Sequence, residues 1–396
     1  MMVNELLALV RLFVRLSLTA FGGPAAHIAM MEDEVVGRRK WLSRQAFLDL
    51  VGATNLIPGP NSTEMTMHVG HVRAGWRGLV VAGASFIIPA ALITGIIAWF
   101  YVQYGALPQV EALLAGIRPV VIAIIIGAIW RLGRQAVKNW QLLAIGVAVG
   151  AAAWLGFSEI LALFFGGLVG MIWLRGREGW ADRRGLVNSV LLVMALIGAV
   201  SAILAVGNNA ARLWASAADG QPVEPSSGLL FLYFLFIGSV LYGSGYVLFA
   251  FLEGGLVQTF GWLTEQQLID AIAVGQVTPG PVFSAATFIG YVLAGWPGAL
   301  AATVGIFLPS FIFVAALTRL MPKLRRSAWM AAFLDAINVS AIGLMVVVSI
   351  RLGQAALVSW QAWLVLAVAL ILVLRWNANS ALLVAGGAIA GWLLMS

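Results

Sequence analysis

The octet Asn55-Leu-Ile-Pro-Gly-Pro-Asn-Ser62 recurs 221 residues later as Gln276-Val-Thr-Pro-Gly-Pro-Val-Phe283, each time in apolar sequence. A Pro-Gly-Pro break frees backbone N–H and C=O groups that lipid cannot satisfy. Irregular backbone therefore survives at membrane depth only against protein or a water-filled cavity. Two such breaks, one in each half of a chain, point to a transport site.

The halves stay in register around the breaks. Trp41-Leu-Ser pairs with Trp262-Leu-Thr and Asp49 with Asp270 at the same offset. One gap later, Ala74-Gly-Trp-Arg-Gly78 pairs with Ala294-Gly-Trp-Pro-Gly298, Pro89 with Pro309, Arg131-Leu-Gly133 with Arg351-Leu-Gly353, and Trp140-Gln141 with Trp360-Gln361. Two repeats are expected, residues 1–175 and 228–396. The connecting segment 176–227 carries an extra hydrophobic helix with no counterpart.

The apolar setting is a matter of composition. The chain is 62% hydrophobic and 10% charged, with mean hydropathy +0.98, which places it among all-α polytopic membrane proteins set in a lipid bilayer. Its 44 glycines favour close helix approach. The formal charge of +7 resides in short loops beside apolar spans, where cytoplasmic retention explains it, and no basic stripe suggests nucleic acid. The absence of Cys excludes disulfides, thiolate metal sites and thiol catalysis. Arg11 and Arg15 interrupt the first apolar run and no small-residue cleavage site follows, so the first helix is expected to be retained.

Spans of bilayer length are expected at Leu6 to Phe21, Leu79 to Tyr101, Gly116 to Trp130, Leu142 to Phe157, Ile160 to Leu174 and Val187 to Val206. The second half offers Leu229 to Leu252, Ala299 to Leu317, Ala332 to Ile350, Ala362 to Trp376 and Ala381 to Met395. The segments flanking the breaks, Phe47 to Ile57 with Ser62 to Val72 and Leu268 to Val277 with Val282 to Val292, are too short to span and read as broken helices or re-entrant hairpins. Glu32 to Arg44 reads as a polar connection. Arg38, Arg39, Lys40 and Arg44 face an equivalent loop, Glu253 to Glu265, with no basic residue. The bias reverses at Gln103 to Leu114, whose counterpart carries Arg319, Lys323, Arg325 and Arg326. Opposite bias at equivalent loops favours inverted repeats. Inversion needs an odd number of crossings between equivalent loops and the assigned spans give an even one, so at least one segment does not cross, Val187 to Val206 being the first candidate.

Pro58-Gly59-Pro60 and Pro279-Gly280-Pro281 each precede a short helix whose first-turn amides and dipole suit an anion. Asn61, Ser62, Thr63, Thr278 and Ser284 add polar side chains, and Asn55 and Gln276 are equivalent amides. A kinked packing element with ordinary caps is the alternative. Two glycine clusters also align, Phe21-Gly22-Gly23-Pro24 and Tyr242-Gly243-Ser244-Gly245. They either present bare amides to the same substrate or allow close helix crossing.

Charge at membrane depth is costly and reads as functional by default. Arg118 can supply a cation, with its repeat partner Asn338 a neutral donor. Arg11 and Arg15 either line an access route or snorkel to an interface. Asp49, Glu64 and Asp270 are candidates for proton coupling, the two aspartates equally for salt bridges or helix ends. His27, His68 and His71 can titrate near neutral pH. His68-x-x-His71 has no evident third ligand, so no metal is expected, and no cofactor.

The Phe-Gly-Gly-Pro segment, the Trp-Leu-Ser turn, the Asn-Leu-Ile-Pro-Gly-Pro-Asn-Ser motif and the following Gly-x-x-x-Ala-Gly-Trp-x-Gly, duplicated in weaker form, resemble the chromate ion transporter family in its long, two-repeat form. The resemblance covers essentially the whole chain. It implies a cytoplasmic-membrane exporter of chromate, driven by the proton motive force and conferring chromate resistance, with isosteric sulfate as competitor. The second copy departs from the first at Ser244, Gly245 and Val282, so the halves are expected to contribute unequally. Resemblance and residues meet on a dianion held near the midplane by both breaks, with Arg118 adding charge. A sulfate or other oxyanion carrier stays open, as does a homodimer. A membrane-embedded enzyme would need a nucleophile, base or metal cluster that the sequence lacks, and a non-transporting scaffold would have little reason to keep two matched breaks.

Overall fold

The computed structural model describes residues 2–21, 23–54, 57–175, 224–242, 245–317 and 327–395. Every regular element among them is helical. Val187 to Val206 and the loop with Arg319, Lys323, Arg325 and Arg326 lie outside the described residues, as do Gly22, Asn55, Gly243 and Ser244.

The first repeat runs α1 (Met2–Thr19), α2 (Pro24–Glu32), α3 (Arg44–Thr54), α4 (Asn61–Tyr104), α5 (Pro108–Ala136), α6 (Trp140–Trp154) and α7 (Glu159–Arg175). The second runs α8 (Ser227–Val240), α9 (Leu248–Leu252), α10 (Glu265–Val277), α11 (Ala285–Leu317), α12 (Ala328–Ala356), α13 (Trp360–Trp376) and α14 (Ser380–Leu394). Asn139, Ser226, Ser327, Ser359 and Asn379 cap α6, α8, α12, α13 and α14 through side-chain oxygens, and Thr264 with Gln267 forms a capping box on α10. Among the described residues, four stretches are long and apolar enough to cross a membrane: Asn61–Tyr104, Pro108–Ala136, Val282–Ala316 and Ala328–Ala356.

Two expectations need correction. Leu229 to Leu252 is not one span: α8 stops at Val240, Leu241 and Tyr242 are not helical, and a 3-10 turn, Gly245–Val247, leads into α9. Glu32 to Arg44 is not all connection, because α2 continues through a π-helical turn, Asp33–Arg38, matched in the second repeat by Glu253–Thr259. In each repeat a short helix thus follows the glycine cluster and ends in a wider turn.

The first of the long stretches is folded in two. Ala74 and Gly75 leave helical geometry, Gly75 at φ +58°. A Cβ on Gly70 would stand 2.6 Å from the Ala82 Cβ, although a straight helix would separate these residues by about 18 Å. Residues 61–73 and 76–104 therefore lie against each other as a hairpin, with Gly70 against Gly78. The second repeat repeats it at Ala294 and Gly295, where a Cβ on Gly290 would stand 2.8 Å from Ala302.

The repeats interlock. Helix α5 packs on α13 and α14, and its equivalent α12 packs on α6 and α7. Glycines allow the approach: a Cβ on Gly391 would stand 2.7 Å from the Gly116 nitrogen, and one on Gly167 2.7 Å from the Phe333 ring. The back arms of the two hairpins meet antiparallel, Gly95 against Trp296 and Gly83 against Phe311.

Candidate functional site

Each proline break is buried and tied to the other repeat. The Gly59 amide donates to the Leu241 carbonyl at 2.8 Å, and the equivalent Gly280 amide donates to Ala20 at 3.2 Å. Gly59 has φ +138° and Gly280 φ +98°, which side-chain-bearing residues rarely adopt. Because Ala20 and Leu241 directly precede the two glycine clusters, the breaks and the ends of α1 and α8 come together at one place. Gly23, at φ +80°, and Gly245 are both buried there, with the Tyr246 hydroxyl facing Gly23.

The helices leaving the breaks begin behind Pro60 and Pro281, N-cap residues whose side chains make no capping bond. The first starts directly as α4; the second passes through a 3-10 turn, Val282–Ser284, before α11. Buried polar side chains surround these starts: Ser62, Thr63, Glu64, Gln276, Thr278 and Ser284. Thr278 donates back to the Val274 carbonyl. His27 bridges the junction, with Nδ1 3.3 Å from the Ser62 hydroxyl and Nε2 3.1 Å from the Ala20 carbonyl. Thr63 Oγ1, Ser284 Oγ and Gln276 Nε2 are buried without a protein partner among the described residues. Thr63 and Ser284 are repeat equivalents, three residues beyond the second proline of their breaks.

Glu64 distinguishes the two breaks. It is fully buried, accepts from the Ser310 hydroxyl at 3.3 Å through Oε1, and has Oε2 without a protein partner. Both groups face Gly59. At the second break the equivalents are apolar: Ala285 stands for Glu64, and Ala90, against Gly280, stands for Ser310.

Other candidates lie elsewhere. Arg118, expected to add a cation to the anion site, is forked onto Asp270, Nε to Oδ1 and Nη2 to Oδ2 both at 3.0 Å, and reaches Glu111 at 2.7 Å. Tyr101 donates to the same Asp270 at 2.9 Å. This network joins α4, α5 and α10, with the Asp270 side chain fully buried, and its guanidinium charge is already compensated. Asn338 is exposed on α12. Asp49 is exposed and accepts from Gln45, unlike its equivalent Asp270. Arg15 lies 3.7 Å from Glu34 on the exposed side of α1. Asn61 is half-buried at the start of α4.

Sequence reasoning missed Ser310, whose only signal is a hydroxyl beside Pro309 in an apolar run. It also missed Glu253, buried and paired with Arg351 at 3.0 Å. That pair holds the second π-helical turn to α12.

The sequence pattern of the chromate transporter family matches residues 7–171 and 228–392. A probable chromate transport protein of Synechococcus elongatus is 29% identical over 92% of this chain and 88% of its own length. A chromate transport protein of Cupriavidus metallidurans is 29% identical over 97% of this chain and 92% of its own, and one of Pseudomonas aeruginosa 30% identical over 86% and 80%. No solved structure matches the chain.

Proposed function

Because this chain belongs to the chromate transporter family, and is thus a multi-pass membrane transporter, not an enzyme, we propose that it carries chromate across the cytoplasmic membrane. The anion sits at the junction of the two breaks. The observation that carries this reading is the matched pair of buried hydroxyls, Thr63 and Ser284, each without a protein partner among the described residues and each in the first turn of a helix whose start no side chain caps. Buried polar groups are nearly always partnered. Two equivalent orphans at helix starts without a side-chain cap are what a tetrahedral oxyanion would satisfy, with the Gln276 amide as a third donor.

The repeats are inverted in this reading. Support comes from the antiparallel packing of equivalent arms, residues 76–104 against 296–317. Alternating access follows as one repeat rocks against the other about the shared junction. Glu64 carries the coupling proton, since a buried carboxylate with one oxygen unpartnered and only a hydroxyl on the other is costly as an anion. Proton influx then drives chromate export and confers resistance.

The test is chromate uptake by inverted membrane vesicles, with and without an imposed proton gradient and with excess sulfate. Gradient-dependent accumulation blocked by sulfate is the expected result. No chromate flux alongside clear sulfate flux would make the protein a sulfate carrier of the same architecture.

A further inference from the structure

We propose that Glu64, His68 and His71 form a proton path along one face of α4, from the first break to the hairpin turn at residues 74–75; this rests on the transport reading above. The i, i+4, i+7 spacing keeps the three side chains on one stripe of the helix, about 10 Å from end to end. Each has a buried atom with no protein partner among the described residues: Glu64 Oε2, His68 Nε2 and His71 Nδ1. One such atom can be an accident of packing. Three at consecutive turns of one face, all on groups that bind and release protons, form a relay.

The fold does not require these residues. At the offset of 220 that pairs Gly70 with Gly290, Phe288 and Tyr291 stand for His68 and His71, Tyr291 meeting Trp296 as His71 meets Trp76, and residues 285–293 of that hairpin carry no carboxylate or imidazole. No group of side chains suited to a metal ion occurs among the described residues, so the histidine pair is not accounted for that way. The groups facing the stripe from its surroundings are Ser310 and Tyr242 toward Glu64, His27 of α2 toward the neighbouring Ser62, and Trp76, whose ring meets His71 edge-on at 5.5 Å. Arg73 and Arg77 flank the turn, and Arg73 lies 3.5 Å from Glu5.

The far end of the path has a definite side. The Arg39 and Arg73 guanidiniums both lie over the Trp41 ring, at 5.1 and 5.2 Å, so the Arg38 to Lys40 loop and the hairpin turn share one basic face. The positive-inside rule puts that face in the cytoplasm. A proton on Glu64 passes to neutral His68, leaving the carboxylate. It then passes from the imidazolium to His71, and from there to cytoplasmic water.

The test replaces the histidines by the residues the second repeat already carries, His68→Phe and His71→Tyr, singly and together. Two readouts are taken in inverted vesicles: chromate uptake driven by a proton gradient, and chromate–chromate counterflow at equal pH, which needs no net proton movement. Gradient-driven uptake is expected to fall on the order of 100-fold, the low end of what a positioned proton carrier contributes, with counterflow intact. Wild-type gradient-driven uptake in the double variant would overturn the path, and so would loss of counterflow in parallel, which would assign the histidines to packing or to the anion. Absence of flux in both assays for the wild type overturns the transport reading itself, and the path with it.

Discussion

The Gly59 amide reaches out of its own repeat to the Leu241 carbonyl, 2.8 Å away. Only a residue at φ +138° presents it so, and a Cβ there would run into the Glu64 carboxylate and the Ser310 hydroxyl. Gly59→Ala is expected to lower both chromate flux and the melting temperature in detergent. Gly280→Ala meets backbone strain and the Ala90 Cβ at 2.8 Å, and should cost similar stability. Gly75, at φ +58° and ψ −147° with nothing within 4 Å, isolates the backbone effect: Gly75→Ala should cost about 1–3 kcal/mol.

Arg118 and Asp270 are expected to behave as a structural pair. Removing Arg118 leaves the buried Asp270 with Tyr101 alone, at about 3–5 kcal/mol, whereas removing Asp270 costs less because Arg118 keeps Glu111. Replacing both by apolar residues should recover most of that loss. A double-mutant cycle on thermal unfolding measures it. Additive losses would show that the two side chains do not act together.

Thr63→Val and Ser284→Ala each delete one donor to the proposed anion. A hydrogen bond to a charged partner contributes about 1.5–3 kcal/mol, so each variant should raise the KM for chromate about tenfold or more. Unchanged KM in both would remove the hydroxyls from the site. A rise in one only would confine the anion to one break.

Glu64→Gln keeps the shape of the side chain and its contact with Ser310 while abolishing proton exchange. Chromate movement should persist as counterflow and lose its dependence on the proton gradient. The comparison of the two fluxes in one vesicle preparation checks this.

Cutting the chain within residues 176–223 and producing the halves together should reconstitute transport. Either half alone should fail to accumulate, because α5 lacks its partners α13 and α14, and α12 lacks α6 and α7. Copurification of the halves through a tag on one measures the association.

The positions of the breaks and of the helices beside them were legible because proline acts on its own neighbours. The observed starts of α3 and α10, Arg44 and Glu265, fall within a few residues of the expected Phe47 and Leu268. The short helices after the glycine clusters were not legible, since the polar π-helical turns at Asp33–Arg38 and Glu253–Thr259 look like connections. The partners of charged residues were hidden for a different reason. Arg118 lies 152 positions from Asp270, and Ser310 lies 246 from Glu64. Repeat symmetry even misled: Asp49 and Asp270 align, yet Asn338 replaces Arg118 in the other copy, so the forked pair that holds Asp270 has no equivalent there.

The crosswise bonds from Gly59 and Gly280 mean that neither half can shift its break without the other half feeling it. Such a seam keeps two copies geometrically matched while their linings drift apart. One copy here carries a carboxylate and two imidazoles; the other carries alanine, phenylalanine and tyrosine. The proton chemistry proposed for the first repeat therefore has no twin across the seam, and the gradients held on the two sides set the direction of net movement.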